Sequence, residues 1–252
     1  MDESRDVTPV GERLYNDLAS IVRLLSPPAE YADEASFWRT VLRARLGDGR
    51  HHLLEMGVGG GHNLSHLTAE FDATAVDLSA AMLEQCRALN PGVELHVGDM
   101  RTVRLGRTFD AVLIHDAIGY MTTEGDLRAA FDTAAAHLRP GGVFITSPDF
   151  TAETFRSPSV ETATHGDGGV EVTYFEYAWD PDPADTTVEV LMTYVIREGR
   201  QARLEHDRHV LGLFPKATWL RVLGEAGFDV DERTFALGPE ARSYTLLVGT
   251  RR

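Results

Sequence analysis

The stretch that decides the fold is Leu53-Leu54-Glu55-Met56-Gly57-Val58-Gly59-Gly60-Gly61-His62-Asn63, followed by Ala73-Thr74-Ala75-Val76-Asp77. An apolar run stops at an acid, turns through glycines and passes into a helical pattern. A second short apolar run then ends in a second acid. The order is strand, glycine turn, helix, parallel strand, the unit that binds a nucleoside-containing cofactor. Gly57 and Gly59 let the backbone approach a ligand where a Cβ would collide. Asp77, at the tip of the second strand, is placed to accept hydrogen bonds from ribose hydroxyls.

The glycine spacing argues against a dinucleotide. A pyrophosphate fingerprint reads G-x-G-x-x-G, and here His62 stands in the third glycine's place. Glu55 lies two residues before Gly57, where its carboxylate would repel pyrophosphate but suits a ligand carrying an ammonium and a sulfonium. A nicotinamide-dependent oxidoreductase and a non-catalytic binding module stay open as alternatives.

Working outward, strands are expected near 52–57, 73–77, 93–97, 110–114 and 142–147, with helices near 62–70, 79–89 and 123–138. Such alternation means an α/β fold with a mostly parallel sheet. Before it, residues 1–9 are expected to be disordered. Leu14, Leu18, Ile21, Val22 and Leu25 mark a helix over 11–25, which Ser26-Pro27-Pro28 stops, and a second helix spans about 30–46. After Asp149 the pattern changes. Residues 151–168 are polar and turn-rich, then three runs near 170–177, 187–195 and 202–206 alternate as antiparallel strands do. A helix near 216–226 and strands near 228–235 and 243–249 close the chain.

The 252 residues suffice for one α/β domain, and 43% are apolar, enough for a sizeable core. Net charge is −15, Lys216 is the only lysine, and no basic run exists. Nucleic-acid binding needs a basic footprint, so neither nucleic acid nor an anionic membrane is an expected partner. Cys86 is the only cysteine, which rules out an intrachain disulfide. No apolar run reaches membrane-spanning length and the N-terminal residues show no signal-peptide core, so a cytoplasmic protein is expected. The histidines are scattered, without a metal-binding spacing.

E-x-G-x-G-x-G followed by Val76-Asp77-Leu78-Ser79 resembles the first two motifs of class I S-adenosyl-L-methionine (SAM) dependent methyltransferases. Gly98-Asp99-Met100, Phe109-Asp110-Ala111-Val112-Leu113-Ile114, Leu138-Arg139-Pro140-Gly141-Gly142 and Glu225-Ala226-Gly227-Phe228 resemble later motifs of the family in the same order. Shorter blocks are similar to the sugar N,N-dimethyltransferases of antibiotic biosynthesis. Among them are Leu14-Tyr15-Asn16-Asp17-Leu18, Tyr31-Ala32-Asp33-Glu34-Ala35-Ser36 and Gly119-Tyr120-Met121.

The resemblance implies a Rossmann-like sheet with an antiparallel last strand. It further implies an N-terminal helical cap over 1–50 and a SAM-binding domain over 51–252, with an antiparallel β lid inserted at about 151–213. SAM is the implied cofactor and a small-molecule methyl acceptor the implied partner, methylated on N or O. Gly57, Gly59 and Asp77 would hold SAM, with Glu55 meeting its amino group. Asp99 would recognise the adenine amino group while Met100 packs on the ring. Tyr15 and Tyr31 would touch the methionine part, and Leu78 and Met82 would line the pocket. His115 and Asp116 follow strand four, and Asp149 ends strand five, where carboxyl ends of parallel strands face the ligand crevice. His115, Asp116 and Asp149 are therefore the catalytic candidates, and the His115 backbone is a further cofactor contact. Phe150, Tyr174, Tyr177 and Trp179 would wall the acceptor pocket.

Overall fold

A computed structural model describes residues 13–237 and 242–252. The expected disorder of 1–9 and the start of the first helix lie outside them. Seven strands form the central sheet: β1 (His51–Met56), β2 (Phe71–Asp77), β3 (Glu94–Val97), β4 (Phe109–Ile114), β5 (Leu138–Thr146), β10 (Phe228–Leu237) and β11 (Arg242–Arg251). Their order is β10-β11-β5-β4-β1-β2-β3. β1 through β5 pair in parallel, while β11 runs antiparallel to both β5 and β10.

β4 is apolar along most of its length, as is the middle of β1, because both faces are covered. Successive side chains alternate between two cores. Leu54, Met56, Val112 and Ile114 meet α4 (Glu124–Ala136) and α5 (Lys216–Glu225) through Phe131, Trp219 and Leu223. Leu53, Ala111 and Leu113 meet α2 (Ala32–Leu46) and α3 (Ala80–Leu89) through Trp38, Leu42 and Leu83.

Three elements differ from expectation. The helix near 62–70 is only a 3-10 turn at Leu64–His66. On that face Trp38 and Leu42 of α2 pack with Leu64 and Leu67, so the N-terminal helix supplies burial that a longer crossover helix would give. The helix over 11–25 is broken: a 3-10 turn at Arg13–Tyr15 precedes α1 (Ala19–Leu25). The inserted sheet has four strands, not three: β6 (Ser159–Asp167), β7 (Val170–Trp179), β8 (Thr187–Glu198) and β9 (Gln201–Gly212), antiparallel in sequence order. β6 is an edge strand with no fully buried residue, so its composition reads as polar loop. Its signal is Gly168-Gly169, a two-residue loop with both φ positive, as a primed hairpin turn requires. The inner face of this sheet buries Val172, Tyr194 and Ile196 against Ile21 and Val22 of α1 and Met82 of α3. Among the described residues no helix is long and apolar enough to cross a membrane.

Gly61 explains the close approach of the glycine turn to α3. Its φ is +73°, and a Cβ there would lie 2.4 Å from Asn90 Nδ2 and 2.6 Å from Cys86 Sγ. Asn90 Nδ2 donates to the Gly61 carbonyl at 3.0 Å. A Gly61→Ala change is expected to destabilise the chain by about 1–3 kcal/mol, through overpacking and left-handed strain. Urea unfolding measures it, and an unchanged midpoint would contradict this packing.

Candidate active site

The carboxyl ends of β1, β2, β3 and β4 open onto one cavity of about 510 Å³, which the N-terminal segment covers. Tyr15, Tyr31, Glu55, Gly57, Gly59, Asp77, Leu78, Met82, Asp99, Met100, His115 and Asp116 all line it. Asp149, Phe150, Tyr174, Tyr177 and Trp179 are not among its lining residues. Gly61 is also absent from the wall, its task being the contact with α3.

The glycine turn is tied to Asp77. Asp77 Oδ2 accepts from the Gly59 amide at 2.7 Å and Oδ1 from the Ser79 amide at 2.8 Å. Burial pushes the Asp77 pKa up, and these amides pull against that shift. Ser79 caps α3 by accepting from the Met82 amide, and its hydroxyl donates to the Tyr15 carbonyl. One acid thus shapes the turn and, through Ser79, holds the N-terminal segment. A Cβ at Gly57 would lie 2.3 Å from Ala117 Cβ and 2.9 Å from Met100 Cε, so no larger residue fits the floor.

Glu55 is 2% exposed, and its Oε2 has no hydrogen-bond partner. Burial pushes its pKa up to about 8, assisted by the charges of Asp116 and Asp77 and opposed by His115. A buried carboxylate oxygen left unpaired is costly, and its placement on the cavity wall calls for a cationic ligand atom. Asp99 is held differently. Arg101 grips it through Nε and Nη2, the latter at 2.6 Å, and keeps its pKa below the usual carboxylate value. Arg101 is itself anchored to Asp126 at 2.8 Å.

His115 lies between two acids. Its Nδ1 is 2.6 Å from Asp116 Oδ1, and its Nε2 is 2.9 Å from Glu34 Oε2, close but without the alignment of a hydrogen bond. Burial opposes charge on the ring, but Asp116 and Glu34 outweigh it and hold the pKa well above that of free imidazole. Asp149, just beyond β5, is exposed. Lost hydration, then the charges of Asp116, Glu34 and Glu176, push its pKa well above the carboxylate range, against the pull of His115.

The sequence reading did not single out Glu34. Its signal is an acid at i+3 from Tyr31 on a stripe that continues to Ala35 and Trp38, and the residue is 8% exposed. Tyr120 appears on the cavity wall as well, with its hydroxyl 2.8 Å from His209 Nδ1. His209 is 3% exposed.

A methyltransferase domain family matches residues 53–142. The dTDP-3-amino-3,4,6-trideoxy-alpha-D-glucopyranose N,N-dimethyltransferase of Streptomyces venezuelae is 36% identical over 80% of this chain and 85% of that one. The chain belongs to the class I SAM-dependent methyltransferases. The crystal structure of DesVI from Streptomyces venezuelae has a TM-score of 0.82 at 31% identity, covering 94% of this chain and 99% of that one. A SAM-bound amino pentose methyltransferase of calicheamicin biosynthesis, from Micromonospora echinaspora, has a TM-score of 0.77 at 27% identity, covering 94% and 97%. This membership removes the oxidoreductase alternative. The cavity suits such a cofactor, since a buried acid with an unpaired oxygen stands on its wall.

The ion pairs of His115 predict a pH dependence. A pKa raised in the folded state stabilises fully below the unfolded value, about 6.5, and ceases to stabilise as pH rises through the folded value. Urea unfolding of the wild type and of His115→Gln should show a stability gap that is wide at pH 6 and narrower at pH 9. A gap independent of pH would mean that His115 is not charged in the fold.

Proposed function

We propose that this methyltransferase moves methyl groups to the amino nitrogen of a nucleotide-linked deoxy amino sugar, in the making of a secondary metabolite. The observation that carries the reading is the charge beyond β4 and β5. Asp116 and Glu34 lie 2.6 and 2.9 Å from the His115 ring there, with Asp149 near all three. An excess of carboxylate suits an acceptor that arrives as an ammonium. The relatives support it, since the names of two of them specify amino sugars or an amino pentose.

SAM, when bound, supplies an electrophilic methyl on a sulfonium. The residues of this chain orient and neutralise. Asp77 and the turn of Gly57 and Gly59 receive the ribose, and Glu55 gives the amino-acid end its counter-charge. Asp99, steadied by Arg101, offers its remaining acceptor capacity to the adenine amino group, beside Met100. Leu78 and Met82 wall the site, and Tyr15 and Tyr31 close over it. Asp116 and Asp149 draw in and orient the ammonium. Alignment of nucleophile and methyl is the main contribution such a site makes. The ammonium must still lose a proton before its lone pair is free. Residues 1–50 act as the cap and the insertion over about 151–213 as the lid on the 51–252 domain. The acidic charge balance favours a cytoplasmic enzyme without nucleic-acid or membrane partners.

The test is mass spectrometry of purified enzyme with SAM and a thymidine-diphosphate-linked amino sugar, beside the counterpart with a hydroxyl in place of the amine. The amine is expected to gain one and then two methyl groups, with matching S-adenosylhomocysteine, and the hydroxyl compound none. Equal methylation of the hydroxyl compound, or no product from any amine while SAM is bound, would overturn the reading.

A further inference from the structure

The inserted sheet has an outer face as well as the inner one. The inner face buries Val172, Tyr194 and Ile196. Side chains alternate along a strand, so Phe175 on β7 and Leu191 and Val195 on β8 stand on the opposite side. Val160 on β6 and Leu204 on β9 share that outer side. Val160 pairs with Tyr177, Tyr177 with Leu191, and Leu204 with Val195. An apolar band therefore crosses all four strands. Among the described residues eight large apolar side chains are left exposed, and five of them stand on this one face. Leu204 is 66% exposed and Val160 54%. An antiparallel sheet with one face in water turns polar residues to that face. A contiguous apolar band there marks an interaction surface.

Charge narrows the choice of partner. The acids on this face are Glu171 and Glu189. Glu171 pairs with Arg197 at 3.0 Å and Glu189 with Arg208 at 2.6 Å, and both arginines stand on the same face. Their charges cancel, on a chain whose net charge is −15. The face thus leaves no acid unanswered for a basic partner to meet, and the rest of the molecule repels an anionic membrane. A neutral, apolar face matches a copy of itself, and two-fold pairing brings identical patches together. Size agrees. β6, the shortest of the four strands, has nine residues. At about 3.4 Å per residue and about 4.8 Å per strand, four strands present a plane of roughly 600 Å². The relief of the side chains raises the area buried toward the ~800 Å² per partner of a stable interface.

We propose that two copies of this chain pair through the outer faces of their inserted sheets. The two sheets stack face to face, about 10 Å apart, as in a sandwich. Phe175, Leu191, Val195 and Leu204 of each copy supply the apolar seam. Each ion pair stays satisfied within its own subunit, so no charge is stranded on assembly. The inner faces keep their contacts with α1 and α3.

Sedimentation velocity at micromolar concentration tests the pairing. The wild type should sediment at twice the chain mass of 27.8 kDa. Phe175→Glu and Leu204→Glu place an unpaired acid in the seam and should weaken association about 10²-fold or more. Both should bind SAM as the wild type does, which checks their fold by calorimetry. Leu89→Glu, an exposed position on α3, should stay dimeric. Two copies of an acidic chain repel at long range, so added salt should tighten the wild-type dimer. Oxidative footprinting of the wild type needs no variant. Phe175 and Tyr177 should be protected where the dimer forms and labelled on dilution. A monomeric wild type, a dimer that survives both substitutions, a dimer that added salt dissolves, or full labelling of Phe175 in the dimer overturns the pairing.

Discussion

The site depends on one buried acid without a partner. Glu55 lies one residue before the end of β1, buried, and one of its oxygens meets no donor. Stability alone would favour an apolar residue at this position. The acid makes sense only against a cation that enters from the cavity. Everything around it serves to deliver one: a floor too tight for a Cβ at Gly57, a turn fixed by Asp77, and an opening flanked by further acids.

The N-terminal segment is held to the rest of the fold by three separate acids. Asp77 acts through Ser79 on the Tyr15 carbonyl. Asp207 accepts from the Leu14 amide. Glu34 reaches the His115 ring from α2. Each tie joins a different element, namely β2, β9 and β4, to the same short stretch of chain. Tyr15 and Tyr31 are thereby placed over the cavity by interactions spread across the whole fold, and a change in any one wall is felt by both.

The central sheet was legible in the sequence because β1, β2, β4 and β5 are apolar runs bounded by turn residues, and their carboxyl ends announce the site. The glycine turn, Asp77 and Asp99 were legible for the same reason. What stayed hidden depended on tertiary context. β6 reads as loop because an edge strand is solvated, and the helix expected near 62–70 is replaced because α2 already covers that face. Glu34 could have been found as an acid on an apolar stripe. His209 and Asp207 could not be told from surface residues, since alternation on β9 gives two faces and does not say which is inward. His115 was found by position, but its surroundings are set by Glu34 and Asp116, and the pairing with Glu34 exists only in the fold.

The unpartnered Glu55 is tested most directly by calorimetry of SAM binding in buffers of different ionisation enthalpy. With a pKa near 8 the acid is mostly protonated at pH 7 in the free enzyme, and a cation seated against it favours its ionised form. Binding at pH 7 should release about one proton per SAM, with the release fading above pH 9 and absent in Glu55→Gln. Binding without proton release at pH 7, or release unchanged in Glu55→Gln, would contradict the account.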